Sequence, residues 1–117
     1  MIELTLPWPP SVNQMYRVFG NRAIISERGR EYRRNALKEI MMQRVGKMSQ
    51  HERLSVLIHA MPPDKRRRDI DNLAKAVLDV LVHAGIMLDD SQIDRLGIER
   101  GDVVKDGLLM LRIEPFV

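Results

Sequence analysis

The chain contains no cysteine, and this absence narrows both its structural chemistry and the metals it can bind. Disulfide bonds and thiolate metal sites are excluded, so a metal ion would have to use oxygen or histidine ligands. The three histidines, His51, His59 and His83, are scattered and lack the spacing of a zinc site. We therefore expect no histidine-bound zinc, and any metal chemistry should depend on carboxylates.

Long apolar runs are also missing. No segment approaches the roughly 20 predominantly apolar residues that a membrane-spanning helix needs. The N-terminal sequence MIELTLPWPP has neither the basic start nor the cleavage site of a secretory signal peptide. We therefore expect a cytoplasmic protein without a membrane partner.

The remaining composition is typical of a single globular domain covering residues 1–117, with 44% hydrophobic and 30% charged residues. The net charge of +3 conceals an asymmetry. Residues 1–68 contain 14 Lys and Arg against six Asp and Glu, whereas residues 69–117 contain five against ten. A basic half suits a polyanionic partner, and an acidic half can hold the cations that such chemistry often uses.

Hydrophobic patterning predicts a compact α/β fold, in which two helices accompany a mixed sheet of about four main strands. The four strands are predicted at residues 2–6, 54–61, 93–99 and 108–113. The last two are expected to form an antiparallel pair around Lys105-Asp106-Gly107. A short hairpin is predicted around Gly20-Asn21-Arg22.

Both predicted helices have an apolar face and recognisable ends. The first begins at Ser26-Glu27 and runs to about Val45, and its buried face should contain Tyr32, Ala36, Leu37, Ile40 and Met41. The second covers residues 72–84 and ends at Gly85, a natural residue to follow a helix. Its buried stripe should contain Leu73, Ala76, Val77, Val80, Leu81 and Ala84.

The most informative stretch is DKRRRDIDNLAK, residues 64–75, where basic residues directly precede two aspartates, Asp69 and Asp71. In an extended segment this spacing places both carboxylates on one side, whereas a helix would point them apart. The helical stripe starts only after Asp71, so an extended or turn conformation is predicted at 69–71, with Asp71 at the helix N-cap. Convergent carboxylates repel unless a cation bridges them or one of them takes up a proton. Mg²⁺ suits one or two carboxylates completed by water and phosphate oxygens.

A third carboxylate is available in the pair Asp89-Asp90, which a return loop after Gly85 can bring beside the helix end or the start of the next strand. The residues alone do not decide between Asp89 and Asp90. Lys75 can neutralise a phosphate oxygen or hold an attacking water, and such an assembly supports hydrolysis of a phosphodiester. Each part also has a structural interpretation: Asp71 as a helix cap, Asp89-Asp90 as a turn, and the arginines as a solvated surface.

Two motifs resemble the RusA family of Holliday-junction resolvases. The first is Arg66-Arg67-Arg68-Asp69-Ile70-Asp71-Asn72-Leu73, followed by Lys75, Asp79, Gly85 and Leu88-Asp89-Asp90. The second is the N-terminal run from Leu6 to Asn13, with Tyr16. The resemblance extends over essentially the whole chain. Met87 departs from the pattern, because a bulky aromatic residue can stand there in relatives.

This resemblance implies a homodimeric α/β endonuclease that uses Mg²⁺, or Mn²⁺ in its place, and makes paired nicks in four-way DNA junctions. It also implies that Asp69, Asp71 and Asp90 bind the metal and that Lys75 is the catalytic lysine. Residues expected to contact DNA are Arg66, Arg67 and Arg68, the first-helix residues Arg30, Arg33 and Arg34, and Asn13 and Tyr16. The role of Trp8, as a core residue or as part of a DNA path, is left open.

Two other functions are compatible with these residues. One is a non-catalytic DNA-binding module, although such a protein gains nothing from three carboxylates beside phosphates. The other is a metal-dependent nuclease that acts on flaps or RNA.

Overall fold

A four-stranded mixed sheet forms the centre of the computed structural model, which describes residues 1–117. Its strands are β1 (Ile2–Leu6), β4 (Leu54–Met61), β5 (Ile93–Arg100) and β6 (Leu108–Pro115), in the order β1-β6-β4-β5. β6 is antiparallel to both of its neighbours, and β5 is parallel to β4. This confirms the predicted mixed sheet of four main strands.

Five further elements complete the fold. A separate hairpin pairs β2 (Tyr16–Phe19) with β3 (Arg22–Ile25), as predicted. The helices are α1 (Val12–Met15), a single turn that sequence patterning missed, and the two predicted long helices, α2 (Glu27–Gln43) and α3 (Ala74–His83). None of these helices is long and apolar enough to cross a membrane.

The predicted antiparallel pairing of residues 93–99 with 108–113 is wrong. β4 lies between these two segments, and the only neighbour of β5 in the sheet is the parallel strand β4. Leu54, Val56, Ile58 and Ala60 of β4 are all completely buried, so the most apolar strand occupies the interior of the sheet. The connection through residues 101–107 passes the end of β4, where Gly101 and Val104 donate hydrogen bonds to Ala60 and Pro62.

The hydrophobic core lies between the sheet and the long helices. Tyr32, Ala36 and Ile40 of α2 are buried there, as predicted, but Met41 is 79% exposed, so its predicted position on the buried face is wrong. α2 also ends before Val45, because Arg44 adopts a left-handed conformation (φ 54°) that stops the helix. At the end of α3 the prediction holds, since Gly85 follows with φ 74°.

Ser26 fixes the start of α2 as predicted and also ties it to α1. Its side chain accepts a hydrogen bond from the Gly29 amide at 3.0 Å and donates one to the carbonyl of Met15 at 2.9 Å. At the other side of α2, the Tyr32 hydroxyl donates to the Pro7 carbonyl at 2.6 Å. The N-terminal Trp8-Pro9-Pro10 loop is therefore anchored to α2 at both of its ends.

Candidate active site

The segment from Asp64 to Lys75 connects β4 to α3, and its first part is a tight turn built on Asp64. The Asp64 carboxylate accepts hydrogen bonds from the Arg66 amide at 2.9 Å and from Arg68 Nη1 at 2.6 Å. The hydrogen bond from Arg68, followed by that from Arg66, lowers the pKa of Asp64 to about 2. Asp64 therefore stays ionised near neutral pH and holds the arginine run in a defined conformation.

Within this run, Arg68 differs from its two neighbours. Its guanidinium lies 5.8 Å from the centre of the Trp8 ring, and its carbonyl accepts a 2.6 Å hydrogen bond from Arg100. Arg66 and Arg67 are exposed instead, Arg66 to 84% of its side chain. Arg68 therefore shapes the site. Arg67 is free to meet an anion, and Arg66, whose Nε atom lies 3.7 Å from the Asp64 carboxylate, is still exposed enough to meet one.

Trp8 is half-buried and packs against the core. A side chain at Gly107 would come within 2.7 Å of the Trp8 Cβ, and the positive φ of Gly107 (74°) also favours glycine. Because Arg68 lies over the Trp8 ring, the loop from Trp8 to Ser11 is next to the arginine run, and the two sequence motifs are neighbours in the structure.

Between these motifs lies a cleft of about 680 Å³. Its charged lining consists of four arginines and one carboxylate: Arg28, Arg66, Arg67, Arg68 and Asp69. Trp8, Pro9, Pro10, Ser11, Gln14, Asn72 and Leu73 complete it. A strongly cationic cleft of this kind attracts phosphate groups, and guanidinium groups suit them geometrically.

Asp69 and Asp71 occupy the turn that precedes α3. Asp69 is extended (φ −92°, ψ 122°), and Ile70–Leu73, which include Asp71, form one 3-10 turn, so the predicted extended or turn conformation at 69–71 is confirmed. The prediction that Asp71 is the N-cap is wrong: α3 begins at Ala74 after Leu73, whose burial in the core draws the chain into the preceding turn. Both aspartates are exposed, and Asp69 faces the cleft.

Lys75, the second residue of α3, lies against Tyr16. Its Nζ atom stands 4.2 Å from the centre of the Tyr16 ring, a cation–π geometry. The Tyr16 hydroxyl is buried without a hydrogen-bond partner, and burial together with the nearby charge of Asp79 raises its pKa. Tyr16 is therefore placed to orient Lys75, and the Lys75 side chain covers one face of the Tyr16 ring.

Asp89 and Asp90 have different environments although they are adjacent. The Asp89 side chain accepts hydrogen bonds from Ser91 Oγ and from the Gln92 amide, and the Ser91 bond is the main cause of its lowered pKa. The Gln92 side chain in turn accepts a hydrogen bond from the Asp89 amide through its Oε1 atom. Asp89 therefore caps the 3-10 turn Asp90–Gln92, whereas Asp90 is exposed.

The structure does not bring Asp90 together with Asp69 and Asp71. Asp69 follows Arg68, which is bonded to Arg100 at the end of β5, whereas the 3-10 turn that begins with Asp90 directly precedes Ile93 at the start of β5. Eight residues of strand separate these ends by about 23 Å. No three Asp, Glu or His side chains of the chain form a cluster that could hold a metal ion. One chain thus provides Asp69 and Asp71 at one end of the sheet and Asp90 at the other.

The candidate DNA-contacting residues outside the cleft are also differently placed. Arg33 is held by Asp79, which accepts hydrogen bonds from its Nε at 3.1 Å and its Nη2 at 2.9 Å. Arg30 pairs with Glu27 at 2.9 Å. Arg34 and Asn13 are exposed.

Sequence reasoning missed Arg28 and Arg100. Arg28 lies in the first turn of α2 and reaches the cleft, and Arg100 ends β5 beside Arg68. The only sequence signal for Arg28 was its position two residues after the helix N-cap, Ser26. In the structure this position is close to the N-terminal loop that α2 anchors. Nothing local pointed to Arg100, because its contact joins residues 32 positions apart.

Comparison with known proteins agrees with these features. The family model described as "Endodeoxyribonuclease RusA" matches residues 7–114. Proteins named crossover junction endodeoxyribonuclease RusA from Enterobacteria phage HK97 and Shigella sonnei are 39% and 40% identical to the chain over 111 residues. The protein of that name from Enterobacteria phage 82 is 41% identical over 113 residues, and each alignment covers 95% of this chain and 92% of the relative. The chain belongs to the RusA family of endodeoxyribonucleases.

Proposed function

We propose that this protein is a structure-selective endodeoxyribonuclease that resolves four-way DNA junctions by paired nicks in opposed strands. The observation that supports this most strongly is the cationic cleft between the two motifs, which presents Asp69 among four arginines. Family membership supports the same activity, because the relatives at about 40% identity are named crossover junction endodeoxyribonucleases.

DNA binding is assigned to the cleft first. Arg66 and Arg67 are exposed at its rim, and Arg28 reaches it from α2, so the three can neutralise neighbouring phosphates of one strand. Arg34 and Asn13 extend the exposed polar surface nearby. Arg33 has a smaller part in this proposal than its sequence position suggested, because its guanidinium is already bound to Asp79.

Divalent metal is assigned to Asp69, Asp71 and Asp90, with Mg²⁺ as the physiological ion and Mn²⁺ as a substitute. All three side chains are exposed carboxylates, the ligand type that Mg²⁺ prefers. The three do not converge within one chain, so a single chain does not by itself provide the full ligand set. A bound divalent ion supplies positive charge that stabilises a phosphodiester during hydrolysis.

Lys75 is assigned to the phosphate rather than to the metal. Its ammonium group is exposed at the start of α3, four residues after Asp71, and the Tyr16 ring restricts its position. An ammonium group held in this way can donate a hydrogen bond to a phosphate oxygen, and it loses little further side-chain freedom when it does so.

A homodimer is part of the proposal. A four-way junction has two-fold symmetry, and its resolution needs two cuts, whereas each chain has one Asp69-Asp71 pair. Two-fold homodimers are the commonest assemblies of soluble proteins and present two equivalent sites with matching symmetry.

A cleavage panel tests the proposed function. Purified protein is incubated with a four-way junction, a flap, a linear duplex and an RNA hairpin, each in Mg²⁺, in Mn²⁺ and in excess chelator. We expect paired cuts in the junction with either metal and none in chelator, while junction binding persists. Preferential cutting of flaps or RNA would replace the proposed substrate, and binding without any cutting would favour a non-catalytic module.

Adjacent variants provide the matched control for the ligand assignment. Asp90→Asn should abolish most junction cleavage, as should Asp69→Asn and Asp71→Asn. Asp89→Asn should retain most of it, because asparagine can still cap the turn that Asp89 caps. Greater sensitivity at Asp89 than at Asp90 would show that the third ligand is misassigned.

A further inference from the structure

The hairpin formed by β2 and β3 exposes apolar side chains at its tip. It is a sheet of its own, in which each strand pairs only with the other. The strands are joined by the two-residue turn Gly20-Asn21, where Gly20 has φ 59° and open space around it. Just before this turn, Val18 and Phe19 are 74% and 60% exposed. Apolar residues clustered in this way on one element mark an interaction surface.

The base of the hairpin is firmly held by the start of α2. The Ser26 amide donates a hydrogen bond to the Met15 carbonyl at 2.8 Å, and Arg30 Nη1 donates one to the Ile25 carbonyl at 3.1 Å. A side chain at Gly29 would clash with the Met15 carbonyl, so α2 approaches the hairpin closely. The exposed tip therefore projects in a defined direction.

One face of the hairpin combines an aromatic ring with arginines. Arg17 pairs with Ile24 and Phe19 pairs with Arg22, and cross-strand partners share a face. Arg17, Phe19 and Ile24 line one depression of about 270 Å³. Val18, the residue between them, lies on the opposite face because side chains alternate along a strand. Aromatic rings beside arginines are typical of surfaces that stack on exposed bases while holding the DNA backbone.

This face is connected to the cleft that contains Asp69. Arg28 lines both the cleft and a neighbouring depression of about 470 Å³. Arg17 lines both that depression and the one at Phe19. Because adjacent depressions share lining residues, they form one groove that leads from Asp69 to the tip of the hairpin.

The charges along this groove and the hairpin face are mainly positive. They belong to four arginines and two glutamates, and one glutamate is already paired with Arg30 at 2.9 Å: Arg17, Arg22, Arg28, Arg30, Glu27 and Glu31. An excess of positive charge attracts a phosphate backbone and repels a second copy of the same surface. The occupant that fits the groove is therefore DNA.

The hairpin begins beside the lysine that is assigned to the phosphate. Tyr16, the first residue of β2, has its ring against Lys75. Three residues of strand place Phe19 about 10 Å further on, roughly three nucleotide steps along a DNA strand. Inside a linear duplex each base is covered by its neighbours, so an inserted ring must first unstack them. At the branch point of a junction the stacking is interrupted, and this cost is lower.

We infer that the β2–β3 hairpin is a second DNA-binding element, in which Phe19 stacks on a base at the branch point while Arg17 and Arg22 bind the adjacent phosphates. This inference rests on the proposed function for the four-way junction as substrate. It adds the residue that makes binding selective for a junction over a duplex.

Binding measurements in excess chelator test the inference without cleavage. Dissociation constants are measured for a four-way junction and for a linear duplex with the same arm sequence. Phe19→Ala should weaken junction binding about tenfold or more and leave duplex binding nearly unchanged. Phe19→Trp should retain the selectivity, because it keeps an aromatic ring. The matched control is Val18→Ala, which removes an exposed side chain from the opposite face and should change neither constant.

Abasic nucleotides test the stacking contact itself. At the branch point they remove the base on which Phe19 stacks, so wild type and Phe19→Ala should then bind the junction equally. In the middle of an arm they should leave the difference between the two proteins unchanged. A difference that persists without the branch-point bases would contradict the stacking contact.

The other outcomes separate this inference from the proposed function. Equal losses on junction and duplex, or no loss on either, would overturn the role of Phe19 while the proposed function stands, provided that wild type cuts junctions with metal. A weaker dimer in Phe19→Ala, measured by sedimentation equilibrium, would show a contact between subunits and would also overturn it. Failure of wild type to cut junctions would overturn the proposed function, whereas selective junction binding that depends on Phe19 would still support the inference.

Discussion

The two tyrosines of the chain provide a prediction in which one chemical change has opposite effects at two positions. The Tyr32 hydroxyl is buried and donates a 2.6 Å hydrogen bond to Pro7, whereas the Tyr16 hydroxyl is buried with no partner. Burial raises the pKa of Tyr32 far above its usual value, so this hydroxyl stays protonated and remains a donor near neutral pH.

Tyr32→Phe removes the donor and leaves the Pro7 carbonyl without its partner. We expect a loss of about 1–1.5 kcal/mol in the free energy of unfolding, the usual net value of such a bond. For a chain of this size that loss corresponds to a fall of roughly 3–6 °C in Tm.

Tyr16→Phe removes a buried hydroxyl that has no hydrogen-bond partner within the protein. We expect no loss of stability and up to about 1 kcal/mol of gain, because the ring that supports Lys75 is retained.

Urea denaturation of both variants, followed by Trp8 fluorescence at one fixed protein concentration, measures the difference. Equal losses in the two variants, or a larger loss for Tyr16→Phe, would refute the hydrogen-bond argument and the assignment of Tyr32 as the anchor of the N-terminal loop.

Three further predictions follow from the site. Arg66→Ala and Arg67→Ala should each reduce the slope of log junction affinity against log salt concentration by about one, because each removes one phosphate contact. Arg33→Ala should leave that slope nearly unchanged, since Asp79 holds Arg33. Equal slopes for all three variants would refute this difference between the arginines. The Asp64 carboxyl should titrate near pH 2 when followed by carbon-detected NMR. Because its pKa is lowered in the folded state, its contribution to stability should be complete above about pH 4 and should disappear as the pH falls through 2. A titration midpoint near pH 4 would show that Arg68 does not bind Asp64. Gly107→Ala should destabilise the protein and weaken junction binding, because the alanine Cβ would clash with Trp8 and the backbone at residue 107 would be strained. An increase in Tm would contradict the contact between Gly107 and Trp8.

Local chemistry made most of the secondary structure predictable. The alternation in β1 and β4, the Ser26 cap and the Gly85 terminator each depend on neighbouring residues, and each was confirmed. The same kind of signal predicted the extended or turn conformation at 69–71, ahead of α3.

Predictions that depended on distant contacts failed. The order of strands was not predictable from β5 and β6 alone. β4 lies between them because it is the most completely apolar strand, and this emerges only when all the strands are compared. The sequence position of Arg33 predicted a contact with phosphate, but its guanidinium is bound by Asp79, 46 residues later in the chain. The separation of Asp90 from Asp69 follows from the parallel pairing of β4 with β5, because α3 carries the chain back from the end of β4 to the start of β5. Spacing along the chain does not reveal this.

The measurement that tests the central claim most directly is cleavage of a four-way junction and of a linear duplex with the same arm sequence, by wild type, with Mg²⁺ and with excess chelator. We predict paired, opposed nicks in the junction with Mg²⁺ and no cutting of the duplex or in chelator. Equal cutting of junction and duplex, or undiminished cutting in chelator, would contradict the account.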